Sequence, residues 1–354
     1  MSGRPRWRRR LLLALAATFG VPLLVETTIQ LVGDPRYARI AEQAAAGAPY
    51  WGLARAGLYE VADEALRFRL APGFRATIGG VDYRVNAHGL RGPAVATPKP
   101  AGARRVLLLG DSYAFGLGLT EDAAIPAQLE RALAAAGDAA VEVVNGGVPA
   151  YQTEQERLLL ERVGFALEPD VVVLLYFAND KLPAPLTWAP AIATLYHDEL
   201  PLPHRWKPLL ARSFLYALVA KADATRRGER GEYDSRGPRH WPVTVTRLDA
   251  IAAACAARRI PLVLAAVPEM PSTRELLDPA HESAQDHAAV LALAAERGWP
   301  CVDLLAGMRD KLKGKGFEKV WLSLDPVDTH YNAKGCAFAA ELIAPAVRAA
   351  LQRP

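Results

Sequence analysis

The chain has 354 residues, of which 51% are hydrophobic, 23% charged and 8% aromatic, an ordinary globular composition with ample length for a large core. Its formal charge of +4 has one source: Arg4, Arg6, Arg8, Arg9 and Arg10 precede residue 11, and without them the balance is about −1. That excludes a global electrostatic footprint for nucleic acid. Three widely spaced cysteines, Cys255, Cys301 and Cys336, likewise exclude a disulfide framework and a zinc spacing.

The arginine cluster runs straight into fifteen uncharged residues, 11–25, and Glu26 is followed by a second uncharged stretch to Gly33. This pattern reads as an export or anchoring segment. Fifteen helical residues reach roughly 22 Å, short of the ~30 Å hydrocarbon core, and extending the span to Gly33 places Glu26 inside it. With no small-x-small cleavage site and no cysteine for a lipid, residues 1–33 are expected to stay as a single-pass anchor. The arginines then lie inside and the rest of the chain outside the membrane; cleavage would make the protein secreted.

Residues 34–58 read as a stem with two weak helical patterns broken at 47–52. From 59 to 92 short alternating segments with turn signals predict a small β appendage, which includes the phrase Asn86-Ala87-His88-Gly89-Leu90-Arg91-Gly92. A proline-bearing linker closes the stem and appendage, 34–102, before the main domain, 103–354.

Within that domain strands are expected at 106–109, 141–145, 171–176, 261–267 and 300–304, and helices at 125–136, 153–163, 245–257, 281–296 and 333–351. Strands this apolar are buried on both faces, so the fold class is α/β, a three-layer α/β/α domain with a five-stranded parallel sheet. Residues 181–242 interrupt it as an insertion that includes an amphipathic helix over 206–221, a candidate lid or partner surface.

Four pieces of chain converge on the carboxyl edge of this sheet, where open α/β sheets place their chemistry. Gly110-Asp111-Ser112 follows the first strand, Asn145-Gly146-Gly147 the second and Asn179-Asp180 the third; Asp325, Asp328 and His330 precede the last helix. Singly, each has a bland structural explanation as a turn or cap residue. Jointly they supply a nucleophile, Ser112; a base, His330; an acid to orient it, Asp328, with Asp325 in reserve; and oxyanion donors at the Ser112 N–H, the Gly147 N–H and the Asn179 amide. No metal cluster is visible, His281 and His287 being wrongly spaced for one helical face. No G-x-S-x-G elbow, dinucleotide fingerprint or phosphate loop is present.

At these residues the chain resembles the SGNH (GDSL-type) hydrolases over roughly 60–350. Gly110-Asp111-Ser112 is similar to the family's first block, Gly147 to the glycine of the second, Asn179 to the asparagine of the third and His330 to the histidine of the last. Two positions depart from the family pattern. Phe177 stands where the third block has glycine, and Val327 where the last block has its acid, so the resemblance leaves Asp328 or Asp325 for that role. The phrase ending in Arg91-Gly92 is similar to one in membrane-attached or secreted bacterial members. The resemblance implies a flavodoxin-like sheet, no cofactor, and a serine esterase that removes acyl groups from carbohydrate, lipid or an exported metabolite. An O-acyltransferase with a sugar or alcohol acceptor, and a non-catalytic envelope-binding protein, are the alternatives.

Overall fold

The computed structural model describes residues 16–32, 49–181 except Glu64 and Ala139, 241–268, 282–311 and 330–352, with isolated positions elsewhere. A π-helical turn, Ala16–Gly20, leads into α1, Val21–Val32. Large side chains of the turn and the helix, Phe19, Leu23, Leu24 and Leu31, face outward. Among the described residues no helix is long and apolar enough to cross a membrane; residues 1–15 of the expected anchor lie outside them apart from isolated positions. Glu26, the acid that interrupts the apolar run, has partners: its Oε2 accepts from Ser213 Oγ at 3.0 Å and from the Leu215 N–H at 3.0 Å. Apart from such isolated positions the insertion, including most of its expected helix, lies outside the described residues.

Residues 47 and 48 of the expected break at 47–52 lie outside the described residues. Helix α2, Pro49–Ala56, runs through Gly52, whose absent Cβ would sit 2.3 Å from Ile78 Cγ2; glycine permits the close approach of helix to hairpin rather than ending the helix. Two antiparallel pairs follow as the expected β appendage, β1 (Tyr59–Val61) with β2 (Phe68–Leu70), and β3 (Arg75–Ile78) with β4 (Val81–Arg84). Leu53, Phe68, Leu70 and Leu90 are fully buried and belong to the same apolar cluster as Leu107 and Leu109 of the main domain. The appendage therefore forms one wall of the domain core.

The central sheet contains β5 (Arg104–Gly110), β6 (Val141–Gly147), β7 (Val171–Tyr176), β8 (Leu262–Ala266) and β9 (Cys301–Asp303), all parallel and in the order β6-β5-β7-β8-β9. This is the flavodoxin order, with its switch point at β5. The helices are α3 (Ser112–Phe115), α4 (Ile125–Ala135), α5 (Thr153–Arg162), α6 (Trp241–Ala256), α7 (Glu282–Arg297), α8 (Leu304–Lys311) and α9 (Ala333–Leu351). Alternation along β5 divides the core: Leu107 and Leu109 face α5, α6, α7 and the appendage, while Val106 and Leu108 face α4, α8 and α9. Each such fully buried aliphatic side chain contributes about 1.5–3 kcal/mol.

Two boundaries differ from expectation for local reasons. Leu304 opens α8 instead of ending β9, because Asp303 Oδ1 accepts from the Ala306 N–H at 2.9 Å, an N-capping bond that starts a helix. Strand β6 continues past Asn145, since Gly146 and Gly147 stay in register with Leu109 and Gly110. The three cysteines are free thiols, Cys255 and Cys336 buried.

Candidate active site

Strand β5 stops at Gly110, whose φ of +151° suits no side-chain-bearing residue and whose absent Cβ would lie 2.9 Å from Ala114 Cβ. Asp111 then caps α3, its Oδ1 accepting from the Tyr113 N–H at 2.9 Å, so Ser112 stands as the first residue of a one-turn helix at the sheet's carboxyl edge. His330 arrives from 218 positions further along, and its Nε2 lies 2.7 Å from Ser112 Oγ. It is fixed from behind by α9: Asn332 caps that helix by accepting from the N–H groups of Lys334 and Gly335 at 2.9 and 3.0 Å. The Tyr113 ring packs against His330, Phe177 and Tyr331 at centroid distances of 5.0, 4.6 and 5.0 Å. Phe177, out of pattern in sequence, thus supports the ring that supports the imidazole.

The other expected pieces come to the same edge. Asn179 lies in the helical turn Ala178–Lys181 after β7, and its Nδ2 donates to Asp111 Oδ2 at 3.0 Å. Gly147 abuts α3: a Cβ there would fall 2.1 Å from Phe115 N and 2.5 Å from Ala114 C. Its N–H donates to Asn145 Oδ1 at 2.9 Å. Three residues on, Ala150 holds a left-handed φ of 70°, and its N–H enters no backbone hydrogen bond among the described residues. No glycine marks that turn, which is why the sequence did not single it out. Asp328 and Asp325 lie outside the described residues.

Three carboxyl groups are buried beneath this edge. Asp111 is pushed up from the ordinary carboxylate range by burial, offset by the Tyr113 N–H, the neighbouring His330 and the Asn179 amide. Glu156 on α5 and Asp180 are both fully buried. Burial, and then the charge of nearby carboxylates, drives both well above the ordinary range. Asp180 Oδ2 accepts from the Phe177 N–H at 2.9 Å, but its Oδ1 and both oxygens of Glu156 have no partner among the described residues. A charged carboxylate in such a place carries a large desolvation cost, which favours the protonated form of Glu156 and Asp180. The sequence reading missed Glu156, because a glutamate in a helix that also carries Arg157 and Arg162 reads as solvent-facing.

Among the described residues no group of His, Cys, Asp or Glu is arranged to hold a metal ion. His287 ties α7 to β9 through Asp303 Oδ1 at 2.8 Å. A family model described as the GDSL-like lipase/acylhydrolase family matches residues 108–338. No curated protein matches the chain in sequence. Among solved structures, the lipase/acylhydrolase from Enterococcus faecalis is 17% identical with a TM-score of 0.43, over 70% of this chain and 96% of its own. The acetyl xylan esterase AlAXEase is 17% identical with a TM-score of 0.42, over 69% and 99%. A variant of an acetyl xylan esterase from Geobacillus stearothermophilus is 16% identical with a TM-score of 0.40, over 70% and 94%.

Proposed function

The chain belongs to the GDSL-like lipase/acylhydrolase family and is an ester-bond hydrolase, and from the geometry of its site we propose that Ser112 is the nucleophile that carries the acyl group from an ester to water. The observation that carries this reading is the 2.7 Å separation of Ser112 Oγ and His330 Nε2, the contact a serine nucleophile needs with its base. His330 takes the Ser112 proton as Oγ attacks the ester carbonyl, then returns it to the departing alkoxide. The acyl-serine is opened by a water that His330 deprotonates, releasing the carboxylic acid and restoring Ser112. Asp328, or Asp325 in its place, orients the imidazole.

The oxyanion is met by the Ser112 N–H, the Asn179 amide and a backbone N–H of the β6 edge. An amide nitrogen carries two hydrogens; with one committed to Asp111 Oδ2, the other stays available, and Asp111 acts as the positioning residue for Asn179. The Gly147 N–H has a single hydrogen, already shared with Asn145 Oδ1, so it serves the oxyanion only by bifurcation; the Ala150 N–H is the alternative donor at this edge. Each oxyanion donor is worth about 2.7–4 kcal/mol of barrier.

The substrate in this reading is a small O-acyl ester of a carbohydrate, lipid or exported metabolite. The domain works outside the cytoplasm, held at the membrane by residues 1–33. The five arginines and the outward-facing apolar residues of the first helical stretch support that placement. Ser112→Ala is expected to abolish both ester turnover and labelling by a fluorophosphonate probe; labelling retained at another serine would overturn the assignment. Intact mass of the enzyme trapped with acylated envelope extract reports the acyl group, and ester exchange onto an added glycan in place of free acid would make the enzyme a transferase. Recovery of the full chain in the soluble fraction, or its protection from protease added to spheroplasts, would overturn the localisation.

A further inference from the structure

The phrase Asn86 to Gly92 supplies none of the groups above, yet it is built with care. Asn86 Oδ1 accepts from the N–H groups of His88 and Leu90 at 2.9 and 3.2 Å, and its Nδ2 donates to Pro93 O at 2.9 Å. These bonds fold a tight loop whose last strand-like residue, Arg91, bridges in antiparallel fashion to Val85 on one side and Asn145 on the other. The Arg91 side chain points into the domain and is 2% exposed.

Its guanidinium closes the turn that carries Ser112. Nη1 donates to Phe115 O at 2.6 Å and to Gly116 O at 2.7 Å, and Nη2 donates to Leu119 O at 2.5 Å. The charge lies 4.6 Å from the centroid of each of the Tyr83 and Phe115 rings, which are stacked at 8°. The Tyr83 hydroxyl accepts from the Gly118 N–H at 3.0 Å. Among the described residues Arg91 has no carboxylate in ion-pair contact; the charge of Glu121 acts on it from further off, and the buried cation is held directly by carbonyls and rings. Burying an unpaired charge is a poor way to gain stability. A single helical turn such as α3 is also unable to hold its own shape. Asp111 caps the amino end of α3 by hydrogen bond, and the Arg91 cation lies at its carboxyl end, the pole of the helix dipole that favours positive charge. Burial pulls the guanidinium down to about 10, which leaves it charged at neutral pH.

We propose that Arg91, delivered by the β appendage, is a positioning residue for the nucleophile, locking α3 so that Ser112 Oγ and its N–H stay in register with His330. The appendage is then part of the catalytic apparatus. This rests on Ser112 being the nucleophile.

The test is the rate of fluorophosphonate labelling, with kcat and KM for p-nitrophenyl acetate, across a pH series, in the full chain. Arg91→Lys keeps the charge but loses the fork, and is expected to label about 10- to 100-fold more slowly, the scale of a sub-ångström to 1 Å misplacement, with kcat reduced and KM held. Tyr83→Phe, which keeps the ring and loses only the Gly118 contact, is expected to show a smaller slowing of the same kind and covers the case in which Arg91→Lys does not fold. Leu53→Ala, a buried residue of α2 packed in the same cluster as the appendage, should lower Tm without slowing labelling. Wild-type labelling in both Arg91→Lys and Tyr83→Phe overturns the proposal, as does equal slowing in Leu53→Ala, which would make the effect general loosening. Labelling that persists in Ser112→Ala overturns the nucleophile assignment instead, so the two failures are distinguishable.

Discussion

Two buried polar clusters flank the nucleophile, and they are held by different means. In front of α3, Arg91, Tyr83, Asn145 and Asp111 supply donors and acceptors to the backbone groups of the turn, with the Arg91 Nε alone left over among the described residues. Behind Asn179, Glu156 and Asp180 bring carboxyl oxygens into a space that offers them few donors. The Arg91 bonds of the first cluster persist at any pH at which Arg91 is charged. The second keeps its neutrality only by binding protons, so it makes the same fold sensitive to pH. A rigid nucleophile thus leans on a base plate whose stability titrates.

Breaking the front cluster has the largest expected effect. Gly147→Ala would drive a Cβ to 2.1 Å from Phe115 N. Because the obstacle is backbone and not the end of a flexible side chain, the cost falls at the upper end of the overpacking range, about 3 kcal/mol. A lowered urea midpoint together with a drop in kcat/KM is expected; a variant with the wild-type midpoint would mean that α3 is not seated against β6. Next in size, Asp111→Ala removes a helix cap and the partner of the Asn179 amide, costing about 2 kcal/mol. Asp111→Asn refines that result. Asparagine caps as well as aspartate but turns a donor toward Asn179, so the capping share of the stability should be kept while the share of the Asn179 bond is lost and kcat falls. Equal activity in Asp111→Asn and wild type would show that Asn179 needs no such orientation.

How much of this was legible in the sequence depended on whether a residue's job is written in its neighbours. The parallel sheet, its chemical edge and the meeting of Ser112 with His330 follow from buried strands ending in glycine and polar clusters, a pattern local in sequence, whereas the flavodoxin-like strand order was implied only by the family resemblance. Leu304 as a helix start was hidden because its cause, Asp303 acting as a cap, looks like any strand-end acid. Gly147 was singled out as a donor, yet its packing against Phe115 N depends on a contact between β6 and α3 that spacing does not show. Arg91 and Glu156 were illegible for the same reason. Charged residues in a loop and on a helix are solvated in most proteins, and only the tertiary fold buries these two.

Glu156→Gln sharpens the contrast from the other side, with the smallest effect and the most specific signature. Glu156 sits well above its ordinary value of 4.5 because of burial first and nearby carboxylate charge second. Between 4.5 and its folded value the native protein holds a proton that the unfolded chain has lost. Stability therefore falls as pH rises through that window, by about 1.4 kcal/mol for each pH unit per group. Glutamine is neutral throughout and removes this slope. Urea unfolding at pH 4, 5, 6 and 7 should find variant and wild type nearly equal at pH 4, with the variant gaining relative stability at each higher step. A constant offset between the two curves would mean that Glu156 is charged in the fold or reaches water. The front cluster, with Arg91 charged across the whole series, should leave labelling kinetics of Glu156→Gln close to wild type at pH 7, because the carboxyl end of the turn that carries Ser112 is fixed by Arg91 bonds that do not titrate in this range.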